Sequence, residues 1–407
     1  MTVLSVGAWL IAAGLTVPAL VFCLQCLAAL LPRRRAGSPA ARPRVAVLTP
    51  AHNEETEIGA TLAALRPQLR DGDVALVVAD NCTDRTAEVA RLAGAEVLER
   101  RDEVNRGKGF ALAAGLAALA QRPYDVLIVL DADCRTEPGC IDALASQVAA
   151  SARPAQAVYL MESCPSPTPR DRVSTWAFMV KNLVRPLGYS RLGLPVPLTG
   201  TGMAFPRAAI ESAKLATGNI VEDMQLGLDL ALAGCAPQLC AAARVTGRLP
   251  HDVAAALTQR RRWEHGHLST ILRQAPRLLA AGVARGNPGA AAMGLDLMVP
   301  PLSLFIVMLV GAAAAIAVLA AITGAPAQAY AAVTLAGAVI AVGGSVFLTW
   351  VKYGRQTLGL GGLLAVAAYV AWKAPMYVMF LFRPEKKWVR TARVAPLPEN
   401  AKSAAVV

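Results

Sequence analysis

The chain opens on an uncharged apolar stretch, residues 3–31, followed at once by Arg33, Arg34, Arg35, Arg42 and Arg44. A helix of that length spans a bilayer. Basic residues gather on the cytoplasmic side, so the N-terminus is expected outside and the next segment inside. No basic region precedes a short apolar core, which argues against a cleaved signal peptide. A second uncharged run, residues 297–351, breaks at Thr323, Gly324, Ala325 and Pro326 and predicts a hairpin of two helices, 297–322 and 329–350. Lys352 and Arg355 then mark a return to the cytoplasm. A third apolar stretch, 358–382, carries Lys373 and Pro375, and its length favours a fourth span. Spanning would leave the basic tail (Arg383, Lys386, Lys387, Arg390, Arg393) outside, against the charge rule. A re-entrant course would keep it inside, and the pattern leaves both open.

Between the first and second runs the pattern changes. Short apolar runs at 45–49, 74–79, 96–98 and 126–130 alternate with helical spacing at 58–69, 86–93 and 109–120. That alternation predicts an α/β domain with a parallel sheet. Ligands of such sheets bind beyond the carboxyl ends of the strands. Residues 266–282 place Leu268, Ile271, Leu272, Ala275, Leu278 and Leu279 at helical spacing, with Arg273 and Arg277 among them. This reads as an amphipathic helix, lying on the membrane surface or packed on the domain.

Composition agrees with membrane spans: 55% of residues are hydrophobic and only 17% charged. The net charge of +12 sits largely beside the apolar runs, which points to bilayer anchoring by membrane lipids. No nucleic-acid-binding motif accompanies it, so nucleic acid is not an expected partner. Of eight cysteines, Cys23 and Cys26 lie in an apolar run. Cys82, Cys134, Cys140, Cys164, Cys235 and Cys240 match no zinc spacing, and free thiols in a reducing compartment are expected. The expected division is a transmembrane helix (1–32), a cytoplasmic domain (44–266), an amphipathic interfacial helix (267–285), C-terminal transmembrane helices (296–382) and a tail (383–407).

The polar residues of interest follow the apolar strands. Thr49-Pro50-Ala51-His52-Asn53-Glu54-Glu55 comes after the first, Asp80-Asn81-Cys82-Thr83-Asp84-Arg85-Thr86 after the second, and Asp131-Ala132-Asp133 after the last. Acidic loops on one sheet edge can hold a base, a ribose and a metal–diphosphate. The carboxylates of Asp131 and Asp133 are hard oxygen ligands of the kind Mg²⁺ or Mn²⁺ takes. Further on, Leu198-Thr199-Gly200-Thr201-Gly202 allows close backbone approach to a ligand. Val221-Glu222-Asp223 opens a helical pattern, where acidic residues serve equally well as caps. Gln259-Arg260-Arg261-Arg262-Trp263 stands just before the amphipathic segment. Arginine there can fork onto a diphosphate, and tryptophan offers a flat face to a sugar.

In their order, P-A-H-N-E-E, A-D-N-C-T-D-R-T, D-A-D, V-E-D and Q-R-R-R-W resemble the family 2 membrane glycosyltransferases. That group contains cellulose, chitin and hyaluronan synthases and ceramide glucosyltransferase. The resemblance covers roughly residues 44–268. It implies a GT-A fold, Rossmann-like and nucleotide-sugar-binding, and a donor that is usually UDP-linked. It also implies inverting transfer with Mg²⁺ or Mn²⁺. Carried onto this chain, Glu54 and Asp80 would contact the nucleoside, with Lys108 nearby. Asp131 and Asp133 would serve the metal–diphosphate. Glu222 would bind substrate and Asp223 would be the general base. Gln259, Arg262 and Trp263 would hold the diphosphate and the acceptor end. Asn81 departs from the second acid of many relatives. The F-x-V-T-x-K gating segment is absent and the tail is too short for a cyclic-dinucleotide-sensing domain, so cellulose is not expected. The expected product is a surface polysaccharide, with transfer of one or a few sugars to a membrane lipid as the alternative. A degenerate, non-catalytic membrane scaffold is a remote third. One chain supplies few helices for a polymer channel, so the polysaccharide reading calls for a homo-oligomer or a secretion partner. The expected location is the inner cell membrane, multi-pass, with the catalytic domain cytoplasmic.

Overall fold

A computed structural model of the chain describes residues 2–32, 42–162, 166–216, 221–248 and 253–382. Arg33, Arg34, Arg35, Cys164 and the basic tail fall outside them. The strands are β1 (Val45–Ala51), β2 (Val74–Asp80), β3 (Glu96–Arg100), β4 (Val126–Val129), β5 (Arg135–Thr136), β6 (Ala155–Glu162), β7 (Met203–Pro206) and β8 (Gln238–Arg248). They form one sheet in the order β3-β2-β1-β4-β7-β6-β8-β5. β3, β2, β1 and β4 are parallel. β7 runs antiparallel to β4 and β6 antiparallel to β7. The expected parallel sheet is therefore only its first half, and the complete sheet is mixed.

The first half forms where the sequence is most apolar. Val45, Ala46, Val47 and Leu48 are all fully buried, because helices cover both faces. After α1 (Val3–Ala28), which packs on other helices, those helices are α2 (Ile58–Leu65), α3 (Thr86–Leu92), α4 (Lys108–Leu119) and α5 (Cys140–Ser151). Next come α6 (Pro169–Met179), a π-helical turn (Val180–Val184), α7 (Arg185–Arg191), α8 (Arg207–Glu211) and α9 (Glu222–Leu232). The chain ends in α10 (Val253–Ala284), α11 (Pro288–Leu297), α12 (Leu302–Thr323), α13 (Pro326–Thr349) and α14 (Ala365–Phe382). Gly324 leaves α12 in a left-handed conformation and Pro326 opens α13, a common stop and start.

Among the described residues, four helical segments are long and apolar enough to cross a membrane: Val3–Ala28, Leu302–Thr323, Pro326–Gly354 and Leu360–Phe380. Their outer faces expose Leu10, Leu20, Ile322 and Ile340, surface of a kind that aqueous domains avoid in such continuity. α10 departs from expectation. It starts at Val253, so Gln259–Trp263 lies within the helix instead of before it, and the expected boundary at 266/267 falls inside one continuous helix. Part of its apolar face is occupied, while Leu272 is exposed. Ala275 and Leu278 pack with Leu228 and Ala231 of α9 and with Ala290, Met293 and Leu297 of α11. Ala275 and Leu278 of the amphipathic pattern thus seat the helix on its neighbours.

The apolar helix α1 is pinned to α7 and α11 by polar side chains. Arg185 Nε donates to Gln25 Oε1 (2.7 Å) and Nη2 donates to Asp296 Oδ1 (2.9 Å). Gln25 Nε2 donates to the same Asp296 oxygen (2.6 Å). Gln25 is fully buried in an otherwise apolar helix, so these bonds satisfy it where water cannot. At the same crossing Gly188 of α7 meets the Gln25 carbonyl so closely that any Cβ would collide with it.

Candidate active site

β1, β2 and β4 end side by side, and the strand order changes direction beside β1, where open α/β sheets bind ligands. The loops after β1 and β2 are stitched together. Thr83 N–H donates to Asn53 Oδ1 (2.7 Å), Glu54 N–H to Thr86 Oγ1 (2.7 Å) and Arg85 N–H to Glu55 Oε2 (3.0 Å). Asn53 and Asn81 turn these loops in the left-handed region, at φ 56° and 52°, which asparagine tolerates better than most residues. Asp80 is buried, and its Oδ1 accepts from Arg100 Nη1 (2.6 Å) and Asn81 Nδ2 (3.1 Å).

Past β4, the Asp131 N–H donates to Thr201 Oγ1 (3.0 Å). Lys108, the first residue of α4, forms an ion pair with Asp131 and donates to the Gly200 carbonyl (2.7 Å). The structure thus sets Lys108 on the first D-A-D carboxylate, whereas the resemblance places it near the nucleoside. Glu222 and Asp223 begin α9 beside it. Burial pushes the Glu222 carboxyl up to about 7, Asp223 adds to the rise, and Lys108 opposes it. Asp131 is also raised by burial, with Lys108 pulling it back. Against the desolvation of burial, Asp131 and Glu222 hold the Lys108 ammonium above its ordinary value. Burial lowers the Arg262 guanidinium, and Glu222, Asp131 and Asp223 counter it, so Arg262 faces the same carboxylates. Lys108, Asp131, Glu222, Asp223 and Arg262 are thereby one cluster. Glu54 and Asp80 stand at the neighbouring strand ends. Trp263 packs against Phe178 (ring centroids 6.1 Å apart). Gln259 is half-buried one turn of α10 before Trp263.

Gly200 sits at the centre. A Cβ there would lie 3.3 Å from Asp223 Oδ2, 3.7 Å from Lys108 Nζ and 3.9 Å from Asp131 Oδ2, and φ is +90°. Gly200→Ala should therefore crowd the cluster and strain the backbone by about 1–3 kcal/mol. The expected result is a roughly ten- to hundredfold lower turnover with unchanged helical content, measured side by side. Full activity would show that the cluster has room to spare.

Asp131, Asp133 and Cys134 bring donor atoms within 4.8 Å of one another. Cys134 is a thiol: burial pushes it well above its ordinary range, and it donates to Asp133 Oδ1 (3.4 Å). The remaining donors are two carboxylates, which fit Mg²⁺ or Mn²⁺ and not a thiolate-seeking metal. Lys108 already engages Asp131, the first of these carboxylates.

The far side of the cluster touches the apolar helix α14, which the motif reading did not anticipate. Glu264, next after Trp263, forms an ion pair with Lys373 of α14. His265 Nε2 lies 3.1 Å from the Met376 carbonyl. Arg260 Nη2 donates to Ser174 Oγ (2.7 Å) and its guanidinium faces the Trp372 ring (5.7 Å). The one sequence signal was Lys373 itself, since a lysine in an apolar segment demands a partner. Lys373→Met should leave the partly buried Glu264 without its ion-pair partner and cost up to about 3–5 kcal/mol. Unfolding in detergent should shift to lower denaturant, and adding Glu264→Gln should recover much of the loss. An unshifted transition would mean the pair is solvated.

Residues 43–266 match the family model described as glycosyltransferase like family 2. A stretch of 91 residues is 36% identical to a dolichyl-phosphate hexose transferase of Haloferax volcanii, covering 22% of this chain and 36% of that protein. Another of 108 residues is 35% identical to an uncharacterized protein of Methanocaldococcus jannaschii, covering 26% of this chain and 42% of that one. The chain thus spans less than half the length of these curated relatives. Among solved structures, a mannosyltransferase from Pyrobaculum calidifontis, in complex with GDP-Man and Mn²⁺, aligns with a TM-score of 0.52. The alignment covers 85% of this chain and 99% of that one at 19% identity, a likeness of fold.

Proposed function

This chain belongs to the family 2-like glycosyltransferases and has a GT-A fold, and on that premise we propose that it moves a hexose from a nucleotide-sugar donor to a lipid acceptor at the membrane boundary. The catalytic unit is residues 44–266, on the cytoplasmic face of the inner membrane where nucleotide sugars are made. Asp133 and Asp131 would hold Mg²⁺ or Mn²⁺, which would supply charge neutralisation for the donor diphosphate. Arg262 faces the same diphosphate, while Glu54 and Asp80 border the nucleoside. Asp223 takes the proton of the acceptor hydroxyl as that oxygen bonds to the anomeric carbon and the diphosphate leaves with the old bonding pair.

The observation that carries the lipid reading is the direct bonding of α10, which bears Arg262, to the membrane helix α14 through Glu264–Lys373 and His265–Met376. An acceptor arriving there comes out of the bilayer. The name of the Haloferax volcanii relative, a dolichyl-phosphate hexose transferase, points the same way. A surface polysaccharide, the product the motif order suggests, is the second reading. The test supplies radiolabelled UDP- and GDP-sugars to inverted and to right-side-out vesicles. Label in the organic extract of inverted vesicles alone is expected. Label confined to solvent-insoluble polymer would sink the lipid reading, and equal labelling of right-side-out vesicles would sink the cytoplasmic placement.

A further inference from the structure

The fourth apolar segment, Leu360–Phe380, has its middle near Val370. Its partners there are charged. The Arg170 guanidinium of α6 faces the Trp372 ring (5.1 Å), and Arg260 of α10 faces the same ring (5.7 Å). Lys373 is buried and pairs with Glu264 of α10. His265, the next residue of α10, stands against Phe380 with ring centroids 5.1 Å apart. Both partner helices belong to the sheet domain: α6 packs on β6, and α10 carries Arg262 into the catalytic cluster.

A crossing course would set Trp372 and Lys373 within about 5 Å of the bilayer midplane. Arg170, Arg260 and Glu264 would be drawn in with them. Arg262 would follow, because it stands about 3 Å from Glu264 along the axis of the same helix. Charged groups at that depth are costly, and a donor dissolved in water could not reach a site held there. The other apolar helices show the opposite order. Gln25 meets Arg185 and Asp296 in the last turn of α1. Just after α13, Lys352 Nζ donates to the Leu30 carbonyl (2.9 Å) and the Tyr353 hydroxyl to the Ala29 carbonyl (2.5 Å). These polar contacts gather at the ends of α1 and α13, whereas those of α14 gather at its middle.

The two faces of this segment differ. Tyr369, Lys373, Met376 and Tyr377 are buried against protein. Leu364, Ala367, Ala371, Pro375 and Val378 recur at helical spacing on the other side, exposed and wholly apolar, Leu364 at 85% and Val378 at 55%. Polar groups inward and apolar groups outward suit a helix with protein on one side and hydrocarbon on the other. α14 also packs on α12, so its apolar face continues a membrane surface. We infer that α14 does not cross the bilayer but lies along its cytoplasmic leaflet, with the Leu364–Val378 face sunk into lipid and the opposite face bonded to α6 and α10. The inference rests on the reading of the donor as a nucleotide sugar that reaches the site from the cytoplasm. It leaves α1, α12 and α13 as the crossings among the described residues. It also returns the basic run Arg383, Lys386, Lys387, Arg390 and Arg393 to the side that the charge rule prefers.

The experiment places a spin label, carried on p-acetylphenylalanine, at Leu364, Ala371 or Val378 of the full-length protein in nanodiscs of phosphatidylcholine and phosphatidylglycerol. All three positions face outward, so the label disturbs no packing. Depth is read by electron paramagnetic resonance from collisions with oxygen and with a water-soluble nickel complex. The three labels should share one shallow depth, within about 5–10 Å of the headgroup boundary. A crossing helix would instead put Ala371 about 10 Å deeper than the other two, and that profile would overturn the inference. Labels shielded from both relaxants would mean that a second copy covers this face, and would overturn it as well. An epitope tag after Val407 should be reached by antibody in inverted vesicles and not in right-side-out ones, and the reverse would contradict the placement. None of these readings uses turnover. A shallow α14 in a protein inert toward every nucleotide sugar would support the placement and remove the transferase reading.

Discussion

Replacing Asp223 with asparagine should leave a protein that inserts, folds and binds nucleotide, yet transfers sugar at least about a hundredfold more slowly. The competing role for this residue is a helix cap. Asparagine caps about as well as aspartate, so a capping residue would tolerate the change. Geometry already weighs against that role: Val221 is the cap position of α9, and no side chain caps it. Asp223 instead faces Gly200, with Lys108 and Asp131 around the same point. A general base is worth ~10²–10⁴-fold, or about 3–5 kcal/mol of barrier. Nucleotide binding should survive because Asp133 and Arg262 are untouched. Transfer rate and nucleoside diphosphate binding on the same purified variant decide the matter. Near-normal transfer would return Asp223 to a structural role, and loss of both would mean misfolding.

Asp133→Ala should be as damaging by a different route. In the proposed site Asp131 and Asp133 would hold the divalent ion, and the substitution removes one of these two carboxylates. Changing even an outer partner of a metal ligand costs about 10–100-fold, so losing the ligand itself should cost at least that. Mn²⁺ titration followed by electron paramagnetic resonance should show weakened binding, and extra metal should not restore turnover. A variant that binds Mn²⁺ normally would remove Asp133 from the metal site.

Legibility in the sequence followed burial and distance along the chain. β1, β2 and β4 were readable because helices cover both their faces and their residues are continuously apolar. The acidic loops were readable because they follow those strands. β6, β7 and β8 were not, since Gln156 and Arg244 interrupt their apolar pattern and β7 has only four residues. The charged run Gln259–Trp263 looked like a break before a helix, yet it is helical because one side reaches the acidic cluster and the other meets Ser174 and Trp372. Partnerships such as Lys373 with Glu264, 109 positions apart, leave no local trace. Lys108 finds Asp131 over 23 positions only because β4 and α4 come together on the sheet.

The most direct measurement is turnover of UDP- and GDP-sugars by the purified protein in nanodiscs, with and without a chelator. Release of nucleoside diphosphate that stops on chelation and returns with Mn²⁺ or Mg²⁺ is the expected result. Absence of turnover with every donor in the presence of membrane lipid, or turnover indifferent to the metal, would contradict it.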